Sequence, residues 1–427
     1  MTTESCRPPS IRPDSGVSAR LAVRAARALT WWRLIFVGAA ALWLAACATN
    51  LGGSGGLTEG VGVDQPATPP TSGRPQKPVR IGLLLPLSGF GAQAAMARGM
   101  KQGGELALFE LDTPLVQLIV KDDKGTAEGA AQAATDAIGE GAEILVGPLT
   151  AEATVAVAPV ARQANVPVLS FSNDRRAAGP GVYLMSVLPE QDVERIVAYA
   201  AGRGKRRFAA LLPDDGYGHV IEPALHRAVQ RHGGSVAAVT RYPLTANAML
   251  EPVRIMADGI RQSTDTVVPV DTLLVAGGAE VLPQIDPILT YSGVRSDTVQ
   301  LIGTGGWDYP NAGRAQAFVG GWYPGADPHG WRDYVQRFSR TFGQPPVRLS
   351  SLAYDAVSIA ITLSSAEPGR RFTADALTRP AGFTGIDGHV RFRADGLSER
   401  SIAVLELQTF GGHVLDPAQP VPPPDGR

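Results

Sequence analysis

Apolar positions in this chain follow two alternating rhythms. The run 79–85 (VRIGLLL) is almost continuously apolar, as a strand buried on both faces must be. A stretch of helical period follows over 92–111. The alternation then repeats: strand 115–121, helix 126–140, strand 143–146, helix 151–164 and strand 166–170. The same grammar resumes after residue 190. Helices 191–203, 218–232, 247–262 and 281–291 interleave with strands 207–212, 235–241, 271–276 and 298–303. Helices 331–342 and 350–364 come next, and short strands near 389–393 and 402–407 close the pattern. Strands and helices alternating at this spacing predict parallel sheets with right-handed crossovers. About ten strands in one sheet would be exceptional, so the expected architecture is α/β, with two doubly wound parallel-sheet lobes.

The N-terminal segment follows a different rule. Residues 1–33 carry six Arg against two acids, and an apolar run occupies 34–46. Thirteen helical residues reach about 20 Å, short of the roughly 30 Å hydrocarbon core of a bilayer. A basic region, a short apolar core and small residues at its end describe an export signal over 1–46. Its end, Leu44-Ala45-Ala46-Cys47, is similar to the bacterial lipobox. That resemblance implies cleavage before Cys47, lipidation of its thiol and attachment to a membrane surface. The alternative is an ordinary cleaved signal in which Cys47 is incidental. Ala48 stands where the inner-membrane retention signal of enterobacterial lipoproteins has Asp, which favours a periplasm-facing anchor in the outer membrane. Residues 47–78 read as a flexible tether, rich in Gly, Pro, Ser and Thr. Within it, residues 52–56 match the G-x-S-x-G pattern, but with no strand before and no helix after, the match is accidental. The Pro-rich tail, 413–427, is expected to be disordered.

Composition narrows the function classes. The chain has 427 residues, with 39 Lys+Arg against 40 Asp+Glu, and this balance excludes a nucleic-acid binder working through a broad basic face. A hydrophobic content of 44% is too low for a polytopic membrane protein. Both cysteines, Cys6 and Cys47, precede the folded body, which therefore has no disulfide, thiolate nucleophile or Cys-based zinc site. No phosphate-binding loop, dinucleotide-binding glycine pattern or H-E-x-x-H motif occurs, so neither cofactor nor catalysis is expected. His219, His226 and His232 lie six or seven apart, which reads as a solvated helix face rather than a metal site.

Several short segments, taken together in order, resemble the leucine-binding-protein type of periplasmic receptor. They are Ile81-Gly82-Leu83-Leu84-Leu85-Pro86-Leu87-Ser88-Gly89, Asp122-Asp123, Val146-Gly147-Pro148, and Val166-Pro167-Val168-Leu169-Ser170-Phe171-Ser172. Asp214-Asp215-Gly216-Tyr217-Gly218, Ala353-Tyr354-Asp355-Ala356 and Phe383-Thr384-Gly385 with Gly388-His389-Val390-Arg391-Phe392 complete the set, which spans nearly all of 79–412. Within that superfamily, Gly303-Thr304-Gly305-Gly306-Trp307-Asp308 and Leu352-Ala353-Tyr354-Asp355-Ala356-Val357 are similar to the penicillin-binding-protein activator lipoproteins. The enterobacterial activators carry a long helical-repeat domain where this chain has its tether.

The resemblance implies two lobes joined by a three-crossover hinge, with crossovers near Pro189, 320–324 and 384–388. One lobe would comprise 79–189 and 322–385, the other 190–321 and 386–412. It also implies a non-catalytic role, regulating peptidoglycan synthesis by contact with a penicillin-binding protein. The alternative is a substrate-binding lipoprotein feeding an ABC permease for branched-chain amino acids or related small solutes.

Ligands of open α/β sheets bind beyond the carboxyl ends of the strands. That rule selects Ser88, Thr150, Ser172, Asn173 and Asp174 from the first lobe, and Tyr217, Gly278, Glu280, Trp307 and Asp308 from the second. Each has a bland counterpart. Ser88 and Thr150 are typical helix caps, Asp122-Asp123 a turn organiser, and Trp307, Trp322 and Tyr323 hinge plugs. In the amino-acid receptors, first-lobe hydroxyls and N–H groups hold the ligand carboxylate, while a second-lobe aromatic and acid hold its amino group. Here Ala151 replaces the expected Ser, Asp174 the expected Thr, and Ala279 the expected Tyr. Asp174 would repel a carboxylate unless Arg175 or Arg176 neutralises it. The amino-acid pocket reads as eroded.

Overall fold

The computed structural model describes residues 77–421, apart from 112–114 and 264–268. The export signal, Cys47, all but the last residues of the tether, and 422–427 lie outside the described residues.

The first lobe begins β1 (Val79–Leu85), α1 (Gly91–Leu111), β2 (Val116–Asp122), α2 (Ala127–Gly139), β3 (Ala142–Val146) and α3 (Ala151–Gln163), then β4 (Val168–Ser170) and β5 (Val182–Leu184). These strands form one parallel sheet in the order β2-β1-β3-β4-β5. The second lobe follows as α4 (Pro189–Gly202), β6 (Arg207–Pro213), α5 (Gly216–Arg231), β7 (Ser235–Tyr242), α6 (Ala246–Ser263), β8 (Thr272–Val275), α7 (Leu282–Tyr291), β9 (Gln300–Gly303) and β10 (Trp322–Gly325). The chain then returns to the first lobe through α8 (Pro328–Phe342), α9 (Ser350–Ser364) and the short α10 (Ala374–Leu377). A small antiparallel sheet follows: β11 (Phe383–Gly385), β12 (Gly388–Phe392) and β13 (Ser398–Arg400). It ends in the second lobe with the hairpin β14 (Ala403–Gln408) and β15 (Gly411–Asp416).

Each main sheet is covered on both faces, which is why its central strands are almost continuously apolar. On one face of the first sheet, α1 and α9 bury Met100, Leu106, Val357 and Ile361, with Tyr334 and Phe338 of α8 beside them. α2 and α3 cover the other with Ala130, Ala134 and Val157. Nearly every position of α9 is buried, consistent with a helix that shows no polar stripe. The second sheet has the same plan: Trp307, Tyr242 and Met256 lie on one face, Ile196, Ile221 and Leu225 on the other.

Two hinge positions differ from expectation. β10 pairs with β9 and β14, so 322–325 belongs to the second lobe and the return crossover follows at 326–327. β11–β13 bury Phe383, Val390 and Phe392 in the first-lobe core, so the last crossover falls at 401–402, not 384–388. The first crossover, at 185–188, agrees with the expectation near Pro189. The tail is also shorter than expected, because 413–416 is strand paired with β14, and Asp416 bonds Arg195 at 2.8 Å.

The first and third crossovers run side by side and are laced together. Gln191 takes the Leu188 N–H on its side-chain oxygen (3.3 Å) and donates to the Ser398 carbonyl (2.5 Å). Arg195 donates to the Ile402 carbonyl at 2.8 Å, and Arg400 donates to the Met185 carbonyl.

Candidate functional site

Between the lobes lies a cleft of about 940 Å³, lined from both sheets' carboxyl ends and from all three crossovers. That volume is within the range of small-molecule sites. Among the expected residues the structure brings together Asn173, Tyr217, Gly278, Glu280 and Asp308. Ser88, Thr150, Ser172, Asp174 and Trp307 do not line it, and each has a local reason.

Ser88 is exposed, and its N–H donates to Asp122, whose Oδ1 also takes the N–H groups of Leu87 and Lys124. Asp122 and its neighbour Asp123, which accepts from Gly125, thus organise the turn. Burial pushes the Asp123 carboxyl up to about 6. Thr150 is the N-cap of α3, accepting from the Ala153 N–H at 3.3 Å. Ser172 is buried and accepts from the Asp174 N–H. Asp174 is forked onto Arg176 at 3.0 and 2.6 Å, so Arg176 neutralises its charge, away from the cleft. Trp307 is fully buried in the second-lobe core. Its indole N–H donates to the Val275 carbonyl at 3.0 Å, and a Cβ at Gly303 would come within 2.1 Å of its ring. Its neighbours in sequence are what place Asp308 at the cleft.

Of the first-lobe residues selected from the sequence only Asn173 reaches the cleft, and the second lobe supplies most of its polar side chains. Tyr217, in the first turn of α5, donates its hydroxyl to Thr304 at 2.9 Å. Burial pushes its phenol up, and Asp192, Asp215 and Glu280 push it further. Those three carboxylates thus act on one hydroxyl. Asp215 also caps α5 by accepting from the Gly218 N–H at 2.9 Å. Tyr242 and Tyr309 line the same wall.

Asp192 was not selected from the sequence. It lies in the first turn of α4, is 8% exposed, and accepts at Oδ2 from the Gly305 N–H at 2.9 Å. A Cβ at Gly305 would sit 2.9 Å from that oxygen, so glycine is what admits the carboxylate. Among the described residues it has no ion-pair partner. Burial pushes its carboxyl up to about 7, opposed by the Gly305 N–H.

Arg348, also missed, bridges the lobes. It donates from Nε to Asp308 of the second lobe at 2.8 Å, and from Nη1 to Asp387 and Ser351 of the first at 2.9 Å each. Its guanidinium stacks 4.6 Å from the Trp331 ring. Burial pushes the Asp387 carboxyl up, but Arg348 and Arg400 outweigh it and hold the group low. Buried Asp355 of α9 accepts from the Ile386 and Asp387 N–H groups, fixing the turn that presents Asp387. Among the described residues no group of His, Cys, Asp and Glu is placed to hold a metal ion, and no helix is long and apolar enough to cross a membrane.

Two outcomes follow from these ionic arrangements. Arg348→Met removes the cross-lobe pair and leaves Asp387 without its nearest cation. Denaturant unfolding should show a loss of about 3 kcal/mol; a loss below about 0.5 kcal/mol would contradict the assignment. Asp192 titrates above an ordinary aspartate, so the folded protein retains a proton that the unfolded chain releases between about pH 4 and 7. Its favourable contribution is present at low pH and lost as pH rises through about 7. Asp192→Asn should therefore stabilise the protein at pH 8 by ~2–4 kcal/mol, with the gain shrinking toward pH 5. An equal effect at both pH values would rule out a buried, unpaired charge.

The comparisons with known proteins agree with this geometry. Residues 78–412 match the periplasmic binding protein family. A Leu/Ile/Val-binding protein homolog of Brucella suis is 23% identical over 358 residues, covering 78% of this chain and 89% of its own. Among solved structures, an ABC transporter substrate-binding protein from Sphaerobacter thermophilus aligns with a TM-score of 0.68 at 20% identity, covering 80% of this chain and 97% of its own. A leucine binding protein from Thermotoga maritima aligns at 0.61 and 19%, covering 80% and 99%. With two lobes, a three-crossover hinge and the family's sequence pattern over the whole described body, this chain belongs to the periplasmic binding protein family, with the leucine-binding-protein type of fold.

Proposed function

We propose that this protein is a non-catalytic solute receptor, which captures a small organic molecule between its lobes and hands it to an ABC-type permease. The observation that carries this reading is the cleft itself, of small-molecule size and lined from both lobes at the hinge. Hinge closure over a bound solute is a general mode of such two-lobed proteins. Arg348, already spanning from Asp387 to Asp308, is a ready-made closing contact. The relatives named above are substrate-binding or branched-chain amino-acid-binding proteins, which favours transport over the activator role that the sequence resemblance suggested first. An activator working through its outer surface has no need of a lined cleft.

A thermal-shift screen of the mature protein against amino acids, amines, amides, organic acids and muropeptides tests the reading. A solute at a hundred times its Kd adds about 2.7 kcal/mol of stability, a readily measured rise in Tm. If no solute raises Tm at millimolar concentration while the protein binds a purified penicillin-binding protein, the receptor reading is wrong.

The family places the protein in the periplasm. We propose that lipid on Cys47 holds it at a membrane surface, supported by Leu44-Ala45-Ala46-Cys47. Cys47→Ser should then move the protein from the detergent phase to the aqueous phase; unchanged partitioning would exclude the anchor.

A further inference from the structure

The charges around the cleft are unevenly matched. Its basic lining residues are Arg348 and Arg400. Arg348 is held by Asp308 and Asp387. Arg400 donates to the Met185 carbonyl and lies close enough to Asp355 and Asp387 to favour ionisation of both. Those two guanidinium groups thus face three carboxylates at the hinge. The second-lobe acids of the cleft, Asp192, Asp215 and Glu280, have no ion-pair partner among the described residues. Asp192 is the most telling of them. It is more than nine-tenths buried, lines the cleft, and uses one oxygen on the Gly305 N–H while Oδ1 has no hydrogen-bond partner. A carboxylate kept out of water in this way is costly unless a cation pairs with it.

The rest of the site fits an ammonium group. Such a group offers three donors and needs acceptors on several sides. Asp192 and the unpaired Glu280 provide them, and the aromatic wall of Tyr217 and Tyr309 suits a cation. The first-lobe hydroxyls expected to clamp a carboxylate are absent from the cleft. Thr150 and Ser172 do not line it, and Ala151 has no hydroxyl. Leu149, Leu244 and Met249 supply apolar lining for a hydrocarbon chain.

We propose that the cleft takes an organic amine cation without a carboxylate, its ammonium group seated on the free oxygen of Asp192 beside Glu280 and Tyr217. This inference rests on the receptor reading and specifies its solute class. Binding also completes the charge balance that the solute-free protein lacks.

Isothermal titration of the whole protein with matched probes provides the test: pentylamine, 1,5-diaminopentane and phenethylamine against hexanoate, 3-phenylpropionate and leucine. The amines should bind, with Kd values at least tenfold lower than those of the acids and leucine. Asp192→Asn should weaken the amines at least tenfold while the variant remains folded. Amine affinity should also rise about tenfold from pH 6 to pH 8 as Asp192 ionises, because the amine itself stays protonated. Asp215, Tyr217 and Glu280 face the same subsite. Glu280→Gln should weaken amines less than Asp192→Asn and leave the pH profile in place. Tighter binding of leucine or an acid than of any amine overturns the amine inference and leaves the receptor reading standing. Amine binding that is indifferent to Asp192→Asn and to pH overturns the seat on Asp192. Failure of all six probes overturns the inference, and the broad solute screen then decides the receptor reading separately.

Discussion

The guanidinium of Arg348 is where the two lobes meet. Three bonds leave it: one to Asp308 across the cleft, two to Asp387 and Ser351 on its own side, with Trp331 stacked on its face. A planar, rigid donor fork is what this arrangement demands, and lysine cannot reproduce it. This contact ties the cleft walls together, beside the three short crossovers and the Gln191–Ser398 hydrogen bond between the lobes. Asp355 holds the 386–387 turn by its N–H groups, so the anchor of the contact is itself built into the core helix α9.

From that hinge the chemistry divides by lobe. On the first-lobe side Ser88, Thr150, Ser172 and Asp174, following β1, β3 and β4, serve caps and turns, and Asn173 reaches the cleft. The second lobe leaves carboxylates and phenols open, over a floor made by Gly277, Gly278, Gly305 and Gly306. Bare backbone matters there. A Cβ at Gly306 would meet the Gly277 carbonyl at 2.5 Å, and one at Gly305 would press on Asp192. The site is therefore acidic and aromatic on its second-lobe side, while its two cations, Arg348 and Arg400, sit on the first-lobe side at the hinge, an asymmetry of charge between the two walls.

Much of the architecture could be read from the chain. Buried parallel strands declare themselves as apolar runs, and the alternation with helices set the two-lobed class. What could not be read was long-range. β10 is four residues containing Pro324 and Gly325, with no periodicity to say which sheet it joins. β12 was visible as a strand, but only the burial of Val390 and Phe392 shows that it stays with the first lobe. Asp192 looks like an ordinary acid in the first turn of a helix, where such residues are common; its partner is 113 residues away. Arg348 lies in a loop between helices with no motif around it. The selected loop residues Ser88 and Thr150 were ambiguous between ligand and local roles, and the structure gives both local roles. The helix cap expected of Thr150 is present, while Ser88 serves the Asp122 turn instead.

If the lobes close on a solute, the distance between them must change. The chain has cysteines only at Cys6 and Cys47, so replacing both by Ser leaves a clean background for two spin labels. Labels on Thr135 of α2 and Arg227 of α5, both exposed and away from the cleft, report one residue in each lobe. Pulsed electron–electron resonance should show the distance distribution shifting and narrowing when a binding solute is added, and the shift vanishing in Asp192→Asn. An unchanged distribution at saturating solute would contradict closure and with it the account of this protein as a hinged receptor.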